Sequence, residues 1–155
     1  MSIIDLNHPQ FLVIAREILV SGHSLQFRAR GGSMRPLIRD GDLLEIAPLQ
    51  PNQLSRGDIL LYQHSSSQLL VHRLVGIEKT GQQTRLLMQG DAVVHTDGWS
   101  TSEQVLGRVV SIQRANRKIS LKQPLQRWLA AALAHLLPPL KNIYSLARPR
   151  LRTPN

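Results

Sequence analysis

The chain of 155 residues is long enough for one domain with a sizeable buried core, and its apolar content of 42% is typical of a globular protein. It contains no cysteine, which excludes disulfides, cysteine nucleophiles and thiolate zinc sites. Residues 1–110 carry ten Lys and Arg against ten Asp and Glu, so the net charge of +9 comes from the nine basic residues of 111–155. On charge alone this tail fits anionic lipid or nucleic acid, but the neutral remainder leads us to expect no nucleic-acid partner.

No segment of the sequence predicts export or a membrane span. Residues 1–10 include Asp5 and Pro9 and lack a basic region before an apolar run, so we expect no signal peptide. The longest largely apolar stretch, Trp128–Leu140, contains His135 and two prolines and is shorter than the about 20 residues that a span needs. We therefore expect a protein that is cytoplasmic or peripheral on a membrane surface.

Hydropathy patterning predicts one helix followed by a series of strands. Pro9–Val20 has the spacing of a short amphipathic helix that ends at Ser21-Gly22. From there, short apolar runs alternate with turn residues, which is typical of a mainly β domain. The predicted strands are Leu25–Arg30, Asp42–Ala47, Asp58–Gln63, Leu69–Glu78, Thr84–Gln89, Val105–Arg114 and Lys118–Leu121.

Three of the predicted turns share a Gly-Asp pair, at Gly41-Asp42, Gly57-Asp58 and Gly90-Asp91. Glycine supplies backbone freedom and aspartate bonds the amides of its own turn. For the first two pairs this structural role is the preferred interpretation.

After the strands, Pro124 begins a helical segment with one continuous apolar stripe, broken at Pro138-Pro139 and followed by a second short helix and a basic tail. The stripe either packs on the β domain or another subunit, or lies in an anionic membrane surface with residues 124–152 as the contact. The predicted organisation is a helical segment at 1–24, a β domain at 25–122 and a basic amphipathic tail at 123–155. The stripe consists of Leu125, Trp128, Leu129, Ala132, Leu133, Leu136, Leu137 and Leu140.

A candidate nucleophile lies in the sequence Gly31-Gly32-Ser33-Met34-Arg35-Pro36. The two glycines let the backbone approach a substrate and leave amide hydrogens free to face an oxyanion, and Pro36 fixes the direction in which the chain leaves the turn. A serine in a glycine-rich turn is also an ordinary structural feature, because serine reacts only beside a base. His72 on a later strand is a candidate base, and Asp91 and Asp97 are candidate carboxylates.

In this order, these segments resemble the type I signal peptidases in their Ser-His form. Gly-Ser-Met-x-Pro before a Gly-Asp turn is similar to the nucleophile segment of those peptidases and of the self-cleaving repressors that share their fold. The resemblance implies a mainly β domain without cofactor or metal, which takes an extended precursor peptide and cuts it after small residues. It continues to about residue 113 through Arg56–Leu60, Val71–Val75, Gly90–Gly98 and Leu106–Val109.

The resemblance also implies roles for single residues. Ser33 is the nucleophile and its amide an oxyanion donor, while His72 is the general base at a place where most bacterial members carry lysine. Asp97, the later of the two aspartates, orients His72. For Asp91 our own hypothesis is that it stabilises the loop by pairing with Arg73. Many members carry, two residues before the nucleophile, a hydroxyl that donates to the oxyanion, but here that residue is Gly31. The oxyanion hole is then one donor short, which is compatible with a slow enzyme.

Other interpretations stay open from the sequence. A self-cleaving repressor would need a lysine base and a DNA-binding module, for which the residues before the first strand are too few. A non-catalytic peptide-binding module that kept the fold fits Gly31, although the joint presence of Ser33, His72 and Asp97 argues against it. His64 is the other candidate base, and His64, His72 and His95 lack the spacing of a metal site.

Overall fold

The computed structural model describes residues 9–65, 68–81 and 83–121. These residues form a mainly β structure with one α-helix, as the sequence predicts, and the predicted helices after Pro124 lie outside them. No helix within the described residues has the length and apolar character to cross a membrane. The helix is α1 (Pro9–Val20), and the strands are β1 (Leu25–Arg28), β2 (Leu43–Ala47), β3 (Ile59–Gln63), β4 (Leu69–Thr80), β5 (Gln83–Gln89), β6 (Trp99–Thr101), β7 (Val105–Arg114) and β8 (Arg117–Ser120).

The eight strands form one curled antiparallel sheet in the order β1-β2-β7-β3-β4-β5-β6, with β8 also paired to β7. Along one edge, β7 pairs with β2, and along the other it pairs first with β3 and then with β8. Register shifts interrupt the pairings of β2 with β7, β3 with β7 and β4 with β5. Irregularities of this kind bend a strand, which fits the curl of the sheet.

Alternating side chains of the strands fill two hydrophobic cores. The larger core joins Phe11, Ala15 and Leu19 of α1 to the sheet, so the helix and the strands share one interior. The smaller core consists of Leu60, Tyr62, Leu74, Leu86 and Met88. Since successive residues of a strand face opposite sides, β3 contributes to both cores and all its residues up to Tyr62 are buried.

Predicted and observed elements agree closely. The helix and β7 have the predicted bounds, and the other predicted strands differ by at most two residues at an end. β6 was not predicted, because its three residues are too few to show the alternation that marks a strand.

The first two Gly-Asp turns have the same local structure. Gly41 and Gly57 have φ angles of 84° and 93°, in the left-handed region where a side chain is strained. Asp42 Oδ2 and Asp58 Oδ2 each accept the backbone N–H of the residue three positions earlier, at 2.8 and 3.0 Å. The structural role expected for these two pairs is therefore confirmed.

Asp42 also ties the turn that carries Ser33 to the middle of the sheet. Arg114 of β7 donates two hydrogen bonds to its carboxylate, at 2.8 and 2.6 Å, and a third at 2.8 Å to the carbonyl of Leu37. Burial raises the pKa of Asp42, but the hydrogen bonds from Arg114 and from the Arg39 N–H, with the nearby positive charges, outweigh burial and hold that pKa below its ordinary value of 3.8.

We expect Asp42→Asn to lower the free energy of unfolding at pH 7 by about 2 kcal/mol, because Arg114 loses a charged partner. Since the pKa of Asp42 is lower in the folded state, its carboxylate stabilises the fold above the unfolded value of 3.8 and loses this effect as pH falls through the folded value. The difference between variant and wild type, measured in urea titrations, should therefore shrink as pH falls below 4. Glu78→Gln, in a half-exposed pair with Arg85, is the control with little effect.

Candidate active site

Ser33 lies in the turn between β1 and β2, and its neighbours fix the backbone on both sides. Met34 and Ile38 are buried in the larger core, and the Ile38 N–H donates to the Met34 carbonyl at 2.9 Å. Gly31 has a φ angle of 89° and donates its N–H to a carboxylate oxygen of Asp40 at 2.8 Å. The side chain of Ser33 is therefore presented from an anchored loop, and it is itself partly buried.

The loop after β5 closes on this turn at Gly90. The carbonyl of Ser33 accepts the N–H of Ala92 at 2.7 Å. A Cβ atom on Gly90 would stand 2.7 Å from that carbonyl oxygen and 3.1 Å from His72 Nε2. The φ angle of Gly90 is outside the left-handed region, so close approach, rather than backbone conformation, requires glycine here. The third Gly-Asp pair thus differs from the first two.

His72 of β4 connects the nucleophile turn to a carboxylate. The imidazole is buried, with Nε2 2.8 Å from Ser33 Oγ and Nδ1 2.5 Å from Asp97 Oδ2. Because an ionised carboxylate only accepts hydrogen bonds, we assign the proton to Nδ1. Nε2 is then free to accept the hydroxyl proton of Ser33, as a general base must.

Asp97 reaches the site from the loop before β6. Its backbone N–H donates to the carbonyl of Met88 in β5 at 2.9 Å, and its side chain is 14% exposed. The same oxygen that faces His72 also accepts the hydroxyl of Tyr62 at 2.8 Å. Burial and the neighbouring carboxylate raise the pKa of Tyr62, so the phenol stays protonated and remains a donor.

Tyr62 is a member of the site that the sequence analysis did not identify. The observation that could have identified Tyr62 is the pairing of β3 with β4. Leu60 of β3 lies opposite His72, and Tyr62 follows two residues later, so its side chain is on the same face of the sheet as that of His72. That observation becomes usable only once the register of β3 and β4 is known.

Arg73 and Asp91 form the pair that the sequence analysis expected. Arg73 donates to both carboxylate oxygens of Asp91, at 2.7 and 2.6 Å, and to the carbonyl of Gly57 at 3.0 Å. Each side chain is 4% exposed, so the pair is almost completely shielded from water. Asp91 thereby ties its loop to β4, while Asp97 is the carboxylate that contacts His72.

The backbone around Ser33 leaves amide donors available. Within the described residues, the N–H groups of Gly32 and Ser33 make no hydrogen bond, whereas the N–H of Gly31 is bound to Asp40. Arg35 lies over Gly32, and the Arg35–Pro36 bond is cis. The amide of Ser33 is thus free to face an oxyanion, the role that the sequence analysis gave it.

A cavity of about 70 Å³ opens beside Ser33, with a mainly apolar lining. Its size suits a small side chain of a bound peptide. A larger cavity of about 300 Å³ between α1 and the start of β7 is lined by none of the predicted site residues, so we place the candidate site at the smaller one. The smaller cavity is lined by Phe27, Ala29, Arg30, Gly31, Ser33, Met34, Ile38, Leu44, Leu69, Leu70 and Val71.

The other histidines that the sequence singled out do not join this arrangement. His64 is exposed, its ring lies edge-on to the ring of Tyr62 at 6.2 Å, and Ser33 is hydrogen-bonded to His72 instead. His95 is exposed in the loop before Asp97. Among the residues that the structure describes, no group of histidine and acidic side chains is arranged to hold a metal ion.

The chain was also compared with known proteins. It matches no family model, and no curated protein matches it.

We expect Gly90→Ala to lower the free energy of unfolding by about 1–3 kcal/mol, because the added methyl group meets a backbone carbonyl that cannot easily move. The variant should also react more slowly at Ser33 with a serine-directed fluorophosphonate, since His72 is displaced. Gly32→Ala is the matched control for stability, because a Cβ there meets only the flexible side chain of Arg35 at 3.6 Å. Equal unfolding free energies of the two variants would contradict a tight closure at Gly90.

Proposed function

We propose that the protein is a serine endopeptidase of the signal-peptidase type, which cuts a precursor peptide bound in an extended conformation. The observation that carries this proposal is the continuous series of hydrogen bonds from Ser33 through His72 to Asp97. A serine hydroxyl becomes a useful nucleophile only when a base takes its proton, and the base needs a fixed orientation. The three side chains come from separate parts of the chain, which makes their alignment hard to attribute to local structure.

The proposed reaction begins when Ser33 Oγ attacks the peptide carbonyl and His72 Nε2 takes the hydroxyl proton. Asp97 holds the imidazole by Nδ1 and stabilises the cation that forms. The new oxyanion accepts a hydrogen bond from the N–H of Ser33. The intermediate then breaks the C–N bond, His72 passes its proton to the leaving amine, and an ester remains on Ser33. Water, deprotonated by His72, hydrolyses that ester and returns the site to its starting state.

Gly31 sets the expected speed of this reaction. It supplies no hydroxyl, and its own N–H already binds Asp40. An oxyanion hole that lacks one donor raises the barrier by about 3 kcal/mol, which corresponds to a rate lower by about 10²-fold. We therefore propose a slow peptidase, a property that suits an enzyme with one dedicated substrate.

The surroundings of Ser33 support an extended peptide with small side chains. Leu69–His72 of β4 pair with β3 along one edge, whereas β5 pairs with β4 only from Arg73 onward. Along the other edge of Leu69–His72, no strand of the described chain is paired, so a peptide backbone can add there by β-strand addition. The cavity of about 70 Å³ next to Ser33 then receives a small side chain at the scissile bond.

The cellular site and the membrane contact are part of the same proposal. Five basic residues and no acidic one in 124–152, together with the apolar stripe, fit a peripheral contact of this segment with an anionic membrane surface, and packing of the stripe on the β domain or on another subunit is the alternative. Salt-sensitive binding to vesicles that contain anionic lipid is the measurement that checks this.

We expect the purified full chain to cleave members of a peptide library after small residues, as read by mass spectrometry. Ser33→Ala should reduce the cleavage rate by at least about 10³-fold without changing the unfolding transition, because only the nucleophile is lost. If the wild type retains library peptides but cuts none, the protein is a peptide-binding module and the peptidase proposal is wrong.

The two aspartates should respond differently to the same substitution. Asp97→Asn keeps the shape but not the charge beside His72, so turnover should fall by about 10²–10⁴-fold with little change in the unfolding free energy. Asp91→Asn leaves Arg73 buried without its partner charge, so it should lower the unfolding free energy by about 3–5 kcal/mol. Urea titration and peptide cleavage measure the two effects, and the reverse pattern would contradict the assignment.

A further inference from the structure

Two donors on neighbouring strands converge on one oxygen atom of Asp97. His72 Nδ1 lies 2.5 Å from Asp97 Oδ2, and the Tyr62 hydroxyl lies 2.8 Å from the same atom. The rings of Tyr62 and His72 are 6.5 Å apart between centroids, at an angle of 47°. The series of hydrogen bonds that starts at Ser33 therefore ends at a phenol rather than at a carboxylate.

Packing in the smaller core holds the Tyr62 ring in place. Tyr62 is fully buried, and its ring belongs to the smaller core with Leu74, Leu86 and Met88. A tyrosine in such a position needs a hydrogen-bond partner for its hydroxyl, and Asp97 is that partner. The ring cannot leave without opening the core, so the hydroxyl is a fixed donor.

We propose that Tyr62 is a positioning residue for the Ser33–His72 pair, which acts through Asp97 to fix the carboxylate and to moderate the proton affinity of His72. A carboxylate oxygen that accepts two hydrogen bonds divides its negative charge between them, so each donor is held less strongly than it would be alone. His72 then gains enough stabilisation to take the proton from Ser33 and still releases it to the leaving amine. The catalytic part of this inference rests on the proposed function.

The charged and titratable groups around His72 determine whether loss of the Tyr62 hydroxyl can be detected at His72. On one side, Nε2 faces the hydroxyl of Ser33, and on the other, Nδ1 faces Asp97 with Tyr62 behind it. His64 contacts the ring of Tyr62 and is exposed, and the next residue of β4, Arg73, is neutralised by the buried carboxylate of its partner. Because Arg73 is paired and His64 is exposed, removal of the phenol acts mainly on the contact between His72 and Asp97.

The direction of the effect follows from this arrangement. Without the Tyr62 hydroxyl, the charge of Asp97 acts on His72 alone and stabilises the imidazolium more strongly. The midpoint of the His72 titration should therefore move to higher pH, and the acid limb of a pH–rate profile should move with it. A tyrosine that merely packs the core would move neither.

The first experiment follows the His72 imidazole by nitrogen-edited NMR in the full chain, as wild type and as Tyr62→Phe. We expect the midpoint to rise by about 0.5 to 1 pH unit. Leu86→Val is the matched control, because Leu86 is fully buried in the same core but its apolar side chain cannot hydrogen-bond to Asp97, so it destabilises the fold without moving the midpoint. An unchanged midpoint in folded Tyr62→Phe would overturn the inference.

A second variant keeps the test valid if Tyr62→Phe does not fold. The chain contains two tyrosines, Tyr62 and Tyr144, so fluorotyrosine supplied to Tyr144→Phe labels Tyr62 alone. Fluorine makes the phenol a stronger donor with almost the same shape, and the His72 midpoint should then move to lower pH. An unchanged or higher midpoint in this protein would overturn the inference.

The measurements also separate this inference from the proposed function. The NMR titration needs no substrate, so it tests the role of Tyr62 even if the wild type cleaves no peptide. If the wild type cleaves peptides and its acid limb does not move in Tyr62→Phe, the peptidase proposal stands and the role of Tyr62 does not. If the midpoint moves but no peptide is cut, Tyr62 tunes His72 and the peptidase proposal fails.

Discussion

The antiparallel pairing of β4 with β3 determines how His72, Arg73 and Tyr62 are placed in the candidate site. Two adjacent residues of β4 point in opposite directions, so His72 meets Ser33 and Asp97 while Arg73 meets Asp91. A slip of one residue in the register would exchange these two side chains and place a guanidinium against the serine. The polar contacts of the two strands oppose that slip, because it would break the hydrogen bonds of Arg73 with Asp91 and of Tyr62 with Asp97.

The loop between β5 and β6 depends on the same strand. It supplies both carboxylates, with Asp91 bound to Arg73 and Asp97 bound to His72. Because Gly90 has no side chain, the start of this loop packs directly against the Ser33 carbonyl. One strand and one loop therefore provide a neutralised ion pair for stability and a separate carboxylate for the histidine, which keeps the two electrostatic tasks apart. This separation explains why two aspartates six positions apart can have different roles.

The site also joins the two cores of the protein. Ser33 is carried by a turn whose buried residues Met34 and Ile38 belong to the larger core, whereas Tyr62 belongs to the smaller one. Asp42 and Arg114 fasten the same turn to β7. The distance between Ser33 and His72 is thus set by packing on both faces of the sheet. A small displacement of either core would change the length of the hydrogen bond between these two residues.

The helix and seven of the eight strands in the described part of the chain follow from the sequence, because hydropathy periods and glycine-rich turns are local signals. Ser33, His72 and Asp97 were candidates because their segments resemble those of a known peptidase family. The contact between Arg73 and Asp91 was also expected from the sequence. The sequence did not determine that Tyr62 shares an oxygen with His72, or that the third Gly-Asp pair is a point of close approach rather than a strained turn. Both points depend on the register between strands and on the path of a loop across them, which become known only from the folded chain. Both are fixed by long-range packing, which no window of sequence contains.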